Sequence, residues 1–375
     1  MRPLFPNPGG VVDPDDLVGR DAELLKINEA ISRSGGAYVT GERRMGKTSI
    51  LRKLHSELEQ AGRVVIRLSA ETDRIDTFTE RLLQELRTHR LISRGIAKWE
   101  KELGGEFALK FLGSGLKLSG KAKRGHDQPV ELDLMQLLSA TSGPRGAVLI
   151  IDEITVLCNA LGLESATAFL GDLRAHRQSE RPLAVVISGS IGLHHALPDT
   201  RVINDLWQVN VGALSSEEAS ELVNRLILGV GVEWTHALEA EILQATSGIP
   251  YYVQAVVQQL ADDPDRTVND IVDYCINENL WNTEHYDSRL DDYFSRDDAR
   301  LARAVLDELA MNDALDVDSL TAPLSAVLGA APDRDDLLRM LRLLEKDHYL
   351  TRESMTDRMS SQLLQRIWRT HRRLR

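Results

Sequence analysis

Gly41-Glu42-Arg43-Arg44-Met45-Gly46-Lys47-Thr48, with Ser49 after it, sets two glycines, a lysine and a hydroxyl at the spacing G-x-x-x-x-G-K-[ST]. That spacing suits a polyphosphate. Two glycines let the backbone curl so that successive N–H groups point inward as an anion nest. Lys47 can then reach the β- and γ-phosphates, and the Thr48 hydroxyl can take one place on Mg²⁺. A helix opening at Gly46 adds its positive dipole end beneath the phosphates. A second cluster of chemistry is Ala147-Val148-Leu149-Ile150-Ile151-Asp152-Glu153, an apolar run that ends abruptly in two carboxylates. Asp152 would hold Mg²⁺, directly or through water, opposite Thr48. Glu153 would polarise a water for in-line attack on a γ-phosphate. A strand that merely ends in acidic residues reads the same way on its own, so Lys47 upstream decides the weighting.

The elements needed to position these residues are legible around them. Ala37-Tyr38-Val39-Thr40 reads as a short buried strand entering the loop, and Ile50, Leu51, Leu54 and Leu58 leave it on one helical face. Val64–Leu68 predicts a second strand, and the run at 147–151 is apolar throughout, as a strand buried on both faces should be. At the carboxyl edge of a parallel sheet, its acidic end lies beside the phosphate loop. Leu183–Ile187 predicts a fourth strand ending at Ser188-Gly189-Ser190, and Leu206–Val211 a fifth. The Ser190 hydroxyl can meet a γ-phosphate or its attacking water, or can cap a strand-to-helix turn. Helical spacing also runs through Phe78–Leu86 and around Ala166–Arg174.

Residues 94–128 break the pattern, with six glycines between Gly104 and Gly125 and with Lys110, Lys117, Lys121, Lys123 and Arg124. Phe111, Leu112, Leu116 and Leu118 suggest a hairpin there, either a solvated insertion or a loop for a partner. From Leu214 onward the chain turns helical, opening with an S-x-x-E capping box at Ser215 and Glu218. Three apolar helical stretches are expected to about Leu280. They are interrupted by Gly248-Ile249-Pro250, a helix junction that could also close over a nucleotide. The last ~80 residues predict three short helices (Leu301–Leu309, Leu320–Val327, Leu337–Leu344), a two-stranded wing and a final helix through Trp368, the order of a winged helix-turn-helix.

Composition bounds the class. A chain of 375 residues suggests two or three domains, and a formal net charge of −12 argues against a protein coated in positive charge for nucleic acid. Cys158 and Cys275 lack metal spacing, and no apolar run approaches a membrane span, so a reduced, cytoplasmic setting with no membrane is expected. The third helix of the C-terminal segment, 333–347, carries four cations against five anions, which is poor for gripping phosphate. Residues 352–375 carry seven arginines against Glu353 and Asp357, a tail that could bind nucleic acid or dock on acidic surface of the same chain.

Taken together, the motifs resemble the STAND class of P-loop NTPases within the AAA-like group, on the side of its prokaryotic, archaeal-type ATPases, over nearly the whole chain. Leu17-Val18-Gly19-Arg20-Asp21-Ala22-Glu23 is similar to that family's amino-terminal box, whose backbone is implied to lie against adenine. The Arg43-Arg44 pair, the Asp152-Glu153 strand end, Ser188-Gly189-Ser190 and Gly248-Ile249-Pro250 are similar to its other motifs. The resemblance implies an α/β parallel-sheet P-loop core (1–212), a helical lid (213–296) in which Pro250 senses the nucleotide, and a C-terminal winged helix (297–375). It also implies ATP rather than GTP, with Mg²⁺.

Two departures from related families matter. The arginine that origin-recognition ATPases place in the lid is missing beside Pro250, and no arginine finger can be assigned among Arg174, Arg177 and Arg181. The expected function is a slow ATPase acting as a switch on another protein or on further copies of itself, in regulation, stress or defence. DNA binding through the winged helix and arginine tail, and a nucleotide-bound scaffold with negligible turnover, are the alternatives.

Overall fold

The computed structural model describes residues 1–33, 35–70, 78, 81, 84–85, 107–111, 116–118, 130–133, 146–178, 183–190, 192–197 and 200–374. They divide into two compact units, Val11–Val211 and Met1–Gly10 together with Gly212–Arg375. The helix expected at Phe78–Leu86 lies mostly outside the described residues, as do Leu112 and Arg181.

The Val11–Val211 unit is built on five parallel strands: β1 (Gly36–Thr40), β2 (Val64–Ser69), β6 (Ala147–Asp152), β7 (Ala184–Gly189) and β8 (Trp207–Asn210), in the order β2-β6-β7-β1-β8. Residues of β6 and β7 are buried on both faces, which is why their sequences are continuous apolar runs rather than alternating ones. One face carries Val65, Val148, Ile150, Val186, Ala37 and Val39 against helices α1 (Asp21–Arg33) and α2 (Lys47–Gln60). The other carries Ile66, Leu149, Ile151, Val185 and Ile187 against α3 (Ile154–Leu161) and α4 (Leu163–Arg177). Truncating a central residue such as Ile150 to Ala would cost about 2–5 kcal/mol, because such a core closes only partly over the cavity.

Helix α2 forms where the pattern demands it. Ile50, Leu51, Leu54 and Leu58 recur on one face and are all buried, and the helix stops where Gly62 turns back onto the Glu59 carbonyl. Between β2 and β6 lies a small separate sheet of β3 (Phe107–Phe111), β4 (Leu116–Leu118) and β5 (Val130–Asp133), in the order β4-β3-β5. The β3–β4 pair is antiparallel with Phe111 opposite Leu116, the expected hairpin. The parallel β3–β5 pairing was not legible in the sequence.

In the second unit the stretch from 216 to 277 forms four helices rather than three: α5 (Ser216–Val230), α6 (His236–Thr246), α7 (Pro250–Asp262) and α8 (Val268–Asn277). Side-chain caps explain the extra division, since Ser215, Thr235 and Thr267 each accept a backbone N–H at a helix start. A further helix, α9 (His285–Tyr293), escaped the periodicity because its sequence is mostly polar. After it come α10 (Arg296–Met311), α11 (Val317–Leu328), α12 (Arg334–Lys346), the antiparallel strands β9 (Leu350–Glu353) and β10 (Thr356–Met359), and α13 (Gln362–Arg372). Leu315 bridges to Asp357 beside the hairpin. The final helix packs on α10 and also on α6 and α8, so the segments expected as lid and C-terminal domain share one unit.

The first ten residues are seated in this unit too. The Leu4 N–H donates to the Arg225 carbonyl at 2.9 Å, and the Asn7 N–H to Gln254 Oε1 at 3.0 Å. Leu4 lies so close over Gly229 that a Cβ there would meet its carbonyl oxygen at 1.8 Å. No helix among the described residues is long and apolar enough to cross a membrane.

Candidate functional site

The site grows from the carboxyl ends of the parallel strands. On the face covered by α2, apolar side chains run up the strands and give way at the top to Ser69 on β2, Asp152 on β6 and Ser188 on β7. Ser69 is paired directly with Asp152 in the β2–β6 register. Strand β1, next to β7, ends at Thr40 and runs straight into the loop 41–46 and then α2. The phosphate-loop residues and the acidic strand end are therefore delivered to the same edge of one sheet, although β1 and β6 are separated in it by β7.

The loop is held from several sides. A Cβ at Gly41 would meet the Val211 carbonyl oxygen at 2.2 Å, so only glycine lets the chain leave β1 past the end of β8. Gly46, with φ of 88°, turns the chain into α2 in a conformation that disfavours other residues. Arg44 also lies at positive φ, 71°. The Lys47 ammonium folds over the loop and donates to the carbonyls of Gly41 (2.8 Å) and Glu42 (2.9 Å). Its burial pulls its pKa below the ordinary lysine range, while the negative charges of Glu153, Glu42 and Asp152 act in the opposite direction.

Glu42 is buried and accepts the Arg43 N–H, and Arg43 itself is exposed. Thr48 is half-buried at the second position of α2. Ser49 is buried and accepts the Val12 N–H at 3.4 Å, so its hydroxyl faces the N-terminal arm. Helix α2 begins with N–H groups that have no acceptor inside the helix.

Asp152 is 1% exposed. Its Oδ1 accepts from the Ser188 hydroxyl, while its Oδ2 is buried without a hydrogen-bond partner. A buried carboxylate oxygen left unpaired is costly unless a cation or donor meets it. A carboxylate oxygen of this kind suits a hard divalent ion such as Mg²⁺. Glu153 follows at φ 57°, an unusual conformation for a non-glycine residue and the kind found where function dictates geometry. Its Oε2 accepts from the Ser190 hydroxyl at 2.9 Å and from the Ser190 N–H at 3.3 Å. After Ser190 the described residues form turns, not the helix that Ser190 was offered as capping, so its hydroxyl is engaged by Glu153.

Leu17 packs partly on the α2-side core, Val18 is buried, and Gly19 (φ 66°) leads into Arg20 (φ 73°). Arg20 is a residue the motif reading passed over. Buried to 2% exposure, it donates to Glu23 Oε1 at 2.9 Å and to the Met45 carbonyl at 2.9 Å, bracing the phosphate loop from below. Its guanidinium, planar and always charged, suits that double contact. Ser188 was also passed over, because a small hydroxyl inside an apolar strand looks unremarkable.

Of the arginines weighed as fingers, Arg177 is bound to Asp205 through Nη2 (2.7 and 2.9 Å) and Nε (3.2 Å), and Arg174 donates to the Arg201 carbonyl at 2.8 Å. Arg177 is a buried structural cation and not a surface one. Pro250 opens α7 at its first position, with Ile249 as N-cap and the Gly248 carbonyl accepting the Leu214 N–H at 3.1 Å.

Residues 16–187 match the family model described as the AAA ATPase domain. Among solved structures, the Walker-type ATPase of Pyrococcus abyssi is similar at a TM-score of 0.66 and 19% identity, over 98% of this chain and 99% of that one. The ORC2 protein of Aeropyrum pernix, in ADPNP–ADP complexes, is similar at a TM-score of 0.57 and 12% identity, over 96% and 95% of the two chains. No curated protein sequence matches. The parallel sheet and the two structural likenesses show the fold of a P-loop NTPase, and residues 16–187 are similar to the AAA ATPase domain.

Proposed function

We propose that this protein binds and hydrolyses ATP with Mg²⁺, and that its nucleotide state sets the arrangement of the helical elements and hence the binding of a protein partner or further copies of the chain. The observation that carries the reading is the buried Asp152 with its unpaired Oδ2, at the strand edge where the phosphate-loop helix opens and where Lys47 feels both acidic charges. In this reading Lys47 leaves its loop carbonyls to clamp phosphate, and residues 41–49 cradle the phosphate chain. Thr48 and Asp152 hold the metal. Glu153 orients the attacking water, and Ser190, already bonded to Glu153, reads the γ-phosphate. Mg²⁺, when bound, neutralises charge on the β- and γ-phosphate oxygens. Leu17, Val18 and Gly19 are assigned to the base, and Pro250 to sensing it from a helical lid. Adenine is preferred to guanine on resemblance, and the ORC2 structure holds adenine nucleotides.

The C-terminal elements fit a winged helix, yet the ion pairs disfavour a DNA-gripping role. Arg334 and Arg339 of α12 are paired with Asp318 and Asp298. In the tail, Arg358, Arg366 and Arg372 are paired with Glu353, Asp273 and Asp307. Steady-state ATP hydrolysis, with and without duplex DNA at low and moderate salt, tests the reading. Slow turnover indifferent to DNA is expected. Stimulation that fades with salt would put DNA binding first, and no ATP binding at all would end the ATPase reading.

A further inference from the structure

One side chain at the sheet edge joins both acidic residues without being acidic itself. Ser188, wholly buried in β7, donates its hydroxyl proton to Asp152 Oδ1 and accepts the Glu153 N–H at 3.3 Å. A hydroxyl has one proton and two lone pairs, so the direction of both bonds is fixed: a carboxylate can only accept and an N–H can only donate. The first bond occupies Oδ1 and leaves Oδ2 as the oxygen without a partner. The second fastens the backbone of Glu153 where φ is 57° and where the chain turns out of β6 into α3. Ser69, facing Asp152 from the other neighbouring strand, does not share this task, because its own hydroxyl has no hydrogen-bond partner.

We propose that Ser188 is a positioning residue for the phosphate chemistry. Its hydroxyl fixes the orientation of Asp152 so that Oδ2 meets a divalent cation, and it pins the turn from which the Glu153 carboxylate reaches Ser190. The inference rests on the ATPase reading above, in which Asp152 is a metal ligand. Hydrogen-bond partners of metal ligands typically contribute 10- to 100-fold to metal affinity or activity, because a ligand free to rotate presents its oxygen only part of the time.

The test is Mn²⁺ binding to the full chain in the presence of ADP, read by electron paramagnetic resonance, alongside ADP binding in excess EDTA. Ser188→Ala should weaken Mn²⁺ binding by about 10- to 100-fold while leaving metal-free ADP affinity within about twofold, and Ser188→Thr, which restores the hydroxyl, should recover most of the loss. If Ser188→Ala does not fold, Ser188→Cys, which keeps the volume but has only a weak S–H donor, reads the same quantity. Unchanged Mn²⁺ affinity in the variant, against a wild type that binds, overturns the role of Ser188 alone. Equal losses of Mn²⁺ and of metal-free ADP binding make Ser188 merely structural and overturn it too. A wild type that binds neither Mn²⁺ nor ADP overturns the ATPase reading and this inference together.

Discussion

At the carboxyl edge of the parallel sheet, Asp152 keeps a buried oxygen without a partner, whereas in the second unit Arg303 satisfies two carboxylates at once, Asp287 at 2.7 Å and Asp291 at 2.7 and 2.9 Å. The same contrast extends outward. Glu153 holds a left-handed backbone and leans on Ser190, and Lys47 is buried with its ammonium resting on the carbonyls of Gly41 and Glu42. Around α10 and α13, charge meets charge: Arg339 with Asp298, Arg366 with Asp273, and Arg372 with Asp307, which also takes the Trp368 indole N–H. Formal charge alone does not tell these regions apart. What separates them is whether the charge is already answered from within. An unanswered buried group is a standing cost that a ligand can relieve, while an answered one contributes to the fold and offers little to a partner.

The largest test of that contrast is Lys47→Ala, which should reduce ATP hydrolysis by at least about 100-fold, since a cation aimed at developing phosphate charge is lost. Near-normal turnover would mean that the loop is not a phosphate site. Glu153→Gln comes next. It should keep ATP affinity within about twofold and lower kcat by roughly 100-fold, the range for losing a positioned base; a variant hydrolysing at the wild-type rate would remove Glu153 from the chemistry.

In the other region, Arg303→Ala should leave hydrolysis unchanged and lower the thermal midpoint by only about 2 °C, because both partner carboxylates are more than a third exposed to screening solvent. A fall in ATPase rate instead would show that this ion-pair cluster communicates with the site. The smallest effect concerns Asp357 of β10, the exception that sharpens the comparison. Its Oδ2 is buried without a partner in a region where charges are otherwise paired, and burial raises its pKa above the ordinary aspartate value. The folded chain therefore binds this proton more tightly than the unfolded chain. The stabilisation is full below the unfolded pKa and is lost as pH rises through the raised folded value. Asp357→Asn should raise the midpoint by about 1 °C at pH 7 and by less at pH 4. An equal change at both pH values would place the effect in packing rather than in charge.

How much of this could be read from sequence depended on how local the cause was. The phosphate loop is a contiguous pattern, and β6 is a contiguous apolar run because both of its faces are covered, so both were legible without knowing any partner strand. The order β2-β6-β7-β1-β8 was not, since it depends on pairings between strands far apart in the chain. Ser188 and Arg20 were missed for the same reason. Serine in a strand and arginine before a helix are ordinary, and their importance lies in reaching Asp152 and Met45, 36 and 25 residues away. Helix α3 was missed because Ile154–Leu161 is apolar almost throughout and shows no helical period. The fates of the C-terminal arginines were equally hidden, since composition gives their number and not their partners.

The seating of the first ten residues has a consequence for the order in which this protein can be assembled. Arg2 offers its carbonyl to Arg225, 223 residues later, and Asn7 its N–H to Gln254, 247 residues later. At a synthesis rate of about 5–20 residues per second, the arm leaves the ribosome roughly 11 to 45 s before its first receptor side chain has been made. Throughout that interval Leu4, which is buried in the folded chain, has no native surface to cover it. The segment from Arg2 to Asn7 can therefore dock only after Gln254 has been made, and its docking closes a loop of more than two hundred residues.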